Sequence, residues 1–215
     1  MEIKQGDFIE VDYIGYLRDS GNVFDTTLEE EAKKAGIHSK NSVYGTKVIC
    51  VGRQYILKAI DDSLIGKSES SEYELELDQE NAFGKRELSL IRAFPLDEMR
   101  RQKINPFPGL QLTLGGVFGV VRSVNSGRVT IDFNNPLSGR DVKYKLKLGK
   151  IVMDNEQKLK GLINVLLNIK QEDYTLEKKD DEFILKAKAK INKEIKQEFI
   201  EEAKEVMFNL KLKFE

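Results

Sequence analysis

The stretch Phe8-Ile9-Glu10-Val11-Asp12-Tyr13-Ile14-Gly15-Tyr16-Leu17, followed by Asp19-Ser20-Gly21-Asn22-Val23-Phe24-Asp25, decides how the chain is read. Phe8, Val11, Tyr13 and Gly15 sit in a run with partial two-residue alternation, the pattern of a strand. Asp19-Ser20-Gly21-Asn22 closes it with residues that bond their own backbone or tolerate positive φ.

Working outward, Leu28 to Gly36 predicts a short surface helix ended by a glycine. Ile56 to Leu64 predicts a second, with Ile56, Leu57, Ile60 and Leu64 on one face. Glu72 to Asp78 alternates charge with Tyr73, Leu75 and Leu77, a half-buried strand, and Asn81-Ala82-Phe83-Gly84 breaks it. From Lys85 the pattern changes. An apolar run, Leu88 to Leu96, leads to the basic patch Arg100-Arg101-Lys103. Short strands then follow at 110–114, 117–124 and 129–133, separated by Gly115-Gly116 and Asn125-Ser126-Gly127. Val142 to Leu148 alternates Lys with apolar residues, a strand with one wet face. In the last segment Leu159, Leu162, Ile163, Leu166 and Leu167 form a helical stripe. Thr175 to Ile191 reads as a hairpin around Lys179-Asp180-Asp181-Glu182. Ile195, Phe199, Ala203, Val206 and Met207 form a second stripe, and Asn209 to Phe214 a last strand.

Composition excludes much. The 215 residues carry 35 Lys+Arg and 36 Asp+Glu, a net charge of −1, so the chain is not a simple basic clamp for nucleic acid. Hydrophobic residues reach 40%, enough for a packed core. Cys50 is the one cysteine, which excludes an internal disulfide, a zinc ribbon and an iron–sulfur cluster and points to a reducing compartment. His38 is the one histidine, which argues against a Ser-His-Asp hydrolase or a His-rich metal site. There is no HExxH, GxGxxG, Walker loop or nucleophile elbow. Asp61-Asp62 and Asp180-Asp181 read as solvated faces or turns, since sequence neighbours on a helix do not face each other. Met1 to Lys4 runs straight into a strand pattern, and no segment reaches the roughly 18 apolar residues of a membrane span, so the expected address is cytoplasmic. Charge separates three segments. Residues 1–84 with 140–150 hold 14 basic and 18 acidic side chains, residues 85–139 hold 8 and 4, and residues 151–215 hold 13 and 14. The middle segment is the one cationic module.

Val11-x-Tyr13-x-Gly15, Gly21 and Phe24-Asp25 together resemble the opening of the FKBP-type peptidyl-prolyl isomerases. Tyr55 to Leu64 followed by Gly66 is similar to that family's central helix, and Ala82-Phe83-Gly84 to its Ala-Tyr-Gly loop. Asp132-Phe133-Asn134-Asn135-Pro136-Leu137-Ser138-Gly139 resembles the Asp-x-Asn-His-Pro-Leu-Ala-Gly signature that closes the insert-in-flap domain of SlyD-like members. The tail resembles the extra C-terminal domain of long archaeal members. The resemblance implies an α+β fold: an antiparallel β-sheet wrapped on a short helix, a small β-rich insert, and a C-terminal α-β-β-α-β domain. It implies an isomerase domain at 1–84 and 140–150, an insert-in-flap chaperone domain at 85–139, and a self-association module at 151–215.

Carried over residue by residue, the catalytic pocket would be Tyr13, Phe24, Asp25, Ile56, Leu57, Ile60, Phe83 and Tyr144. Phe24 and Tyr144 would wall the proline ring, Ile60 would be the floor, and Asp25 a buried polar group held by the Tyr13 hydroxyl. Candidates for holding unfolded chains on the insert are Ile91, Phe94, Leu96, Met99, Phe118 and Val120; the competing reading is that these fill the insert's own core. The chain departs from the pattern at Ile60, where Trp or Leu is common, at Phe83 for Tyr, at Lys58-Ala59 for a residue-Gly pair, and at Asn135 for His. With no His- or Cys-rich tail, nickel binding does not carry over; no cofactor and no metal are expected. The implied partners are unfolded or proline-containing polypeptides and a second copy of the chain, bound through Leu159, Leu162, Ile163 and Leu166 or through Ile195, Phe199 and Val206. Neither nucleic acid nor membrane is expected as a partner. The rival reading is a holding chaperone whose isomerase site is degenerate.

Overall fold

Residues 1–180 and 182–214 are described by the computed structural model; Asp181 of the expected acidic turn lies outside the described residues. In chain order the elements are β1 (Phe8–Leu17), β2 (Val23–Thr26), α1 (Glu29–Lys34), β3 (Lys47–Cys50), α2 (Lys58–Leu64), β4 (Glu72–Leu77), β5 (Ile91–Pro95), α3 (Leu96–Arg101), β6 (Gln111–Leu114), β7 (Val117–Asn125), β8 (Arg128–Asp132), β9 (Val142–Ile151), α4 (Asn155–Leu162), β10 (Tyr174–Lys179), β11 (Glu182–Ala187), α5 (Lys193–Val206) and β12 (Lys211–Phe214). Mixed α+β, with few helices and largely antiparallel sheets, it is compatible with an FKBP fold. The chain divides into two compact units, 1–77 with 142–215, and 78–141.

The first unit is organised on β1, which pairs antiparallel with β9 along one edge and with β2 and β3 along the other, while β4 pairs with β9. Register follows from charge as well as apolarity. Val142, Tyr144, Leu146 and Leu148 are buried on one face of β9. Lys143, Lys145 and Lys147 on its other face stand opposite Glu76, Glu74 and Glu72 of β4. A one-residue slip would turn the lysines inward. Helix α2 begins at Lys58, two residues later than expected. Leu57 is extended (φ −52°, ψ 129°), and the fully buried Asp61 accepts the N–H groups of Gly52 and Gln54 at 3.0 and 2.7 Å, tying the preceding loop back on the helix. Asp61 is therefore no solvated face.

The tail segment of this unit forms a three-stranded sheet, β10-β11-β12. The first pair is antiparallel, and the second is parallel, joined by α5. Much of its helical stripes is buried within the chain, though Leu166 and Ile195 are exposed. Leu159, Leu162, Ile163, Phe199, Ala203 and Met207 share one core with Phe8 and Cys50. At Gly161 of α4 a Cβ would stand 2.6 Å from Val48 of β3, so the glycine allows the helix to lie against that strand. The α-helix ends at Leu162, and a π turn (Ile163–Leu167) closes on Asn168 in the left-handed region, φ 51°. The wider turn shifts the phase of the stripe and leaves Leu166 exposed.

The second unit is a four-stranded antiparallel sheet, β5-β8-β7-β6, with α3. Met99, Val121, Val129 and Ile131 form its core. The Asp132–Gly139 signature is its fastener. Asn134 accepts the N–H of Glu87 at 2.8 Å and donates to the carbonyl of Glu87 at 2.9 Å. The Ser138 hydroxyl donates to the Phe83 carbonyl at 3.0 Å, and the N–H of Gly139 to the Gly84 carbonyl at 2.8 Å. Asp132, 2% exposed, accepts from Arg86, Arg122 and Asn134. Its burial opposes ionisation, but the Arg86, Asn134 and Arg122 hydrogen bonds outweigh it and hold the carboxyl well below its ordinary value. A carboxyl depressed in the folded state stabilises above the ordinary value of 3.8 and loses that contribution as the pH falls below it. Asp132→Asn is expected to cost about 1–3 kcal/mol at neutral pH and to flatten the acid limb of stability, measured by denaturant titration across the acid range.

Candidate functional site

Gly15 is the centre of the site. The β1 registers place it opposite Asp25 on β2 and opposite Tyr144 on β9. A Cβ on Gly15 would stand 2.8 Å from Phe24 Cζ and 2.9 Å from Tyr144 Cε1, closer than side-chain carbons approach, so the glycine makes room for two rings. Phe24 meets Tyr144 edge to face, centroids 5.7 Å apart at 85°, and Tyr13 meets Tyr144 at 5.9 Å and 70°. Such edge contacts set the positive rim of one ring against the negative face of the next. The Tyr13 hydroxyl donates to Asp25 Oδ2 at 3.0 Å. A short network fixes β2 to β1 around Tyr13. Its N–H donates to Thr27 Oγ1, its carbonyl accepts from Thr26 Oγ1, and Asp12 accepts the hydroxyls of Thr27 and Thr46. Burial, then the Asp25 charge, pushes the Tyr13 phenol far above its ordinary value, and burial with Asp25 does the same to Tyr144. Both rings are neutral at physiological pH, and Tyr13 is a donor. The cluster is an aromatic surface with one carboxylate at its edge.

Comparisons with known proteins give the family. Residues 92–137 match the family described as FKBP26, IF domain. A short-type peptidyl-prolyl cis-trans isomerase of Methanocaldococcus jannaschii is 30% identical over 146 residues, 68% of this chain and 92% of the relative. The chain belongs to the FKBP-type peptidyl-prolyl cis-trans isomerases. It is an isomerase of that type with an insert-in-flap domain.

Within the isomerase, four of the expected site residues come together: Tyr13, Phe24, Asp25 and Tyr144. Asp25 is exposed rather than buried, because it lies at the rim of β2 with its carboxylate reached by Tyr13 alone among the hydrogen bonds described. Tyr144, 3% exposed, backs the cluster between Tyr13 and Phe24 rather than opening to solvent. Ile56 and Leu57, half-buried, lie in the loop before α2, and Ile60 is buried on that helix. Phe83 belongs to the second unit, in a turn held by Ser138. The six insert candidates divide. Met99 fills the core, with Phe94 and Leu96 packed against it, which removes Met99 as a surface for substrate. Strand alternation sends Ile91, Val120 and Phe118 to the other face of the sheet, and Phe118 is 43% exposed. The sequence reading missed Thr26 and Thr27, whose signal was the pair of hydroxyls after Phe24-Asp25, and Asp12, which carried none. It also missed Arg53, and it had Tyr55 only as the first residue of the stretch similar to the family's central helix. Asp25→Asn is expected to lower the Tyr13 phenol toward the ordinary tyrosine value while Tyr73, hydrogen-bonded to Ser63 at 2.9 Å, stays put; an alkaline titration by site-resolved NMR of the tyrosine rings reads both.

Proposed function

We propose that the aromatic cluster over Gly15 is where this isomerase turns X-Pro bonds, with Tyr13, Phe24, Asp25, Ile56, Leu57, Ile60 and Tyr144 as the substrate-facing or supporting set. The supporting observation is the edge-to-face cluster of three rings beside an exposed carboxylate. Rotation about an amide breaks resonance worth about 18–20 kcal/mol of barrier. No bond is made or cleaved, so neither nucleophile nor metal is required. The twisted amide is less polar than the planar one, and a surface that excludes water favours it. Phe24, half-buried at the front of the cluster, is the contact for the proline ring. Tyr144 holds Phe24 in place from behind, and Ile60 supports the floor. Asp25 keeps the Tyr13 hydroxyl oriented at the rim.

The proposed division of labour is an isomerase module at 1–84 and 140–150, an insert at 85–139 and a tail at 151–215. The insert serves as a chaperone that holds extended, unfolded or proline-containing polypeptides on the outer sheet face with Ile91, Val120 and Phe118. Leu88, 82% exposed, and Phe107, 57% exposed, add apolar surface within the same unit. Tethering that surface to the isomerase raises the local concentration of prolines. Two of the insert's cations, Arg86 and Arg122, serve the Asp132 clamp, which favours a protein client over nucleic acid. A homodimer through the tail would draw on the apolar side chains left exposed there, Leu166, Ile195 and Phe208. Among the described residues no helix is long and apolar enough to cross a membrane; the proposed location is the cytoplasm.

The test is NMR exchange of a short X-Pro peptide. Wild type is expected to accelerate cis–trans exchange, and Asp25→Ala and Tyr144→Ala to lose most of the acceleration. Full activity in both variants contradicts the placement of the site, and no acceleration in wild type favours a holding chaperone. Phe118→Ser is expected to weaken suppression of client aggregation, read by light scattering, while peptide exchange stays at the wild-type rate.

A further inference from the structure

The loop Gly52–Leu57 hangs between a carboxylate of α2 and two carboxylates of α5. From α2, buried Asp61 takes the N–H groups of Gly52 and Gln54. From the tail helix α5, Glu202 accepts Arg53 Nε at 3.0 Å and Arg53 Nη2 at 2.7 Å, a two-point grip, and also accepts the Tyr55 hydroxyl. Glu205, one turn further along α5, takes the same guanidinium at 3.1 and 2.9 Å. Gln54, between the two gripped side chains, sits in the left-handed region at φ 55°, a costly conformation for a residue with a Cβ. Such a conformation persists only when its surroundings over-determine it, and here a carboxylate grips on each side. A groove of about 600 Å³, lined by Tyr55, Leu166, Ile195 and Phe199, runs beside the loop. Tyr55 also packs against the tail's apolar core, but the groove leaves its other side open, so the polar grip fixes the direction in which Arg53 and Tyr55 are held.

We infer that Glu202 of the tail is a positioning residue of the isomerase: through Arg53 and Tyr55 it sets the loop that delivers Ile56 and Leu57. This rests on the reading that places Ile56 and Leu57 in the site. Arg53 lowers the acidity range of Glu202, so the carboxylate stays ionised at neutral pH. Burial and Glu202 push the Tyr55 phenol up, so it stays a donor. A second, independent contact runs the same way: Lys47 Nζ of β3 donates to Asn164 Oδ1 in the π turn at 2.6 Å. The tail is thereby more than a platform for association, because it reaches the isomerase domain at the segment on which turnover depends.

The experiment uses the full chain and a short X-Pro peptide. Glu202→Ala is expected to lower kcat/KM about tenfold, as small misplacements of a reacting geometry do, and to shift the backbone amide resonances of Ile56 and Leu57. Glu202→Gln keeps an acceptor for Tyr55 and Arg53 and is expected to restore most of the activity. Leu212→Ala, in the tail sheet, is expected to lower the melting temperature and leave turnover unchanged. Tyr55→Phe removes one hydrogen bond from the loop side and is expected to lose activity severalfold, which keeps the test open if Glu202→Ala fails to fold. Wild-type turnover in both Glu202→Ala and Tyr55→Phe overturns the inference, as does an equal loss in Leu212→Ala. A wild-type protein without isomerase activity overturns the isomerase reading itself, and this inference with it.

Discussion

The approach of two aromatic rings over the bare Cα of Gly15 is the constraint on which the proposed isomerase site depends. Phe24 and Tyr144 occupy the volume that any side chain at Gly15 would claim. Their edge-to-face contact in turn positions Tyr13, and Tyr13 reaches Asp25. The registers of β1 with β2 and β9 bring these groups to one point, and the rows Lys143/Lys145/Lys147 and Glu72/Glu74/Glu76 help hold the register. Exposed cross-strand ion pairs are each weak. Their value here is that the slipped pairing would bury a row of lysines.

Carboxylates do the fastening in both units. Asp61 closes the loop before α2, Asp132 gathers Arg86, Arg122 and Asn134 in the insert, and Glu202 gathers Arg53 and Tyr55 from the tail. Hydrogen bonds to charged groups contribute about 1.5–3 kcal/mol, and a buried charge left unpaired costs more. Each of these groups is therefore tied to one geometry of its neighbours. The Asp132–Gly139 signature, whose shape suggested a family, is in physical terms a clamp between the entering and leaving chains of the insert.

Elements with a regular period were legible in the sequence. The wet-faced strand β9, the stripe of α5, the hairpin β10–β11 and the Gly-punctuated strands of the insert all lie where alternation or a spacing of three and four placed them. Strand β3 and the late start of α2 were not legible. The first is short, with its pattern set by pairing to β1, and the second is fixed by Asp61 reaching across a loop. Of the site, Tyr13, Phe24, Asp25 and Tyr144 were readable through the spacing of a family motif. The exposure of Asp25 was not, since it follows from β2 lying at the edge of the sheet. Periodicity also identified the buried faces of α4 and α5 without saying what covers them: much of that cover is Phe8, Cys50 and the tail's own sheet. The same limit explains the insert, where Phe94 and Phe118 look alike in sequence and strand alternation sends them to opposite faces.

The central claim is that substrate proline meets the ring cluster over Gly15. Titrating the isotope-labelled full chain with a short X-Pro peptide and following backbone amides tests it most directly. The account predicts the largest shifts at Gly15, Asp25, Ile56, Leu57 and Tyr144. Shifts confined to residues 85–139, with those five amides unmoved at saturation, would contradict it.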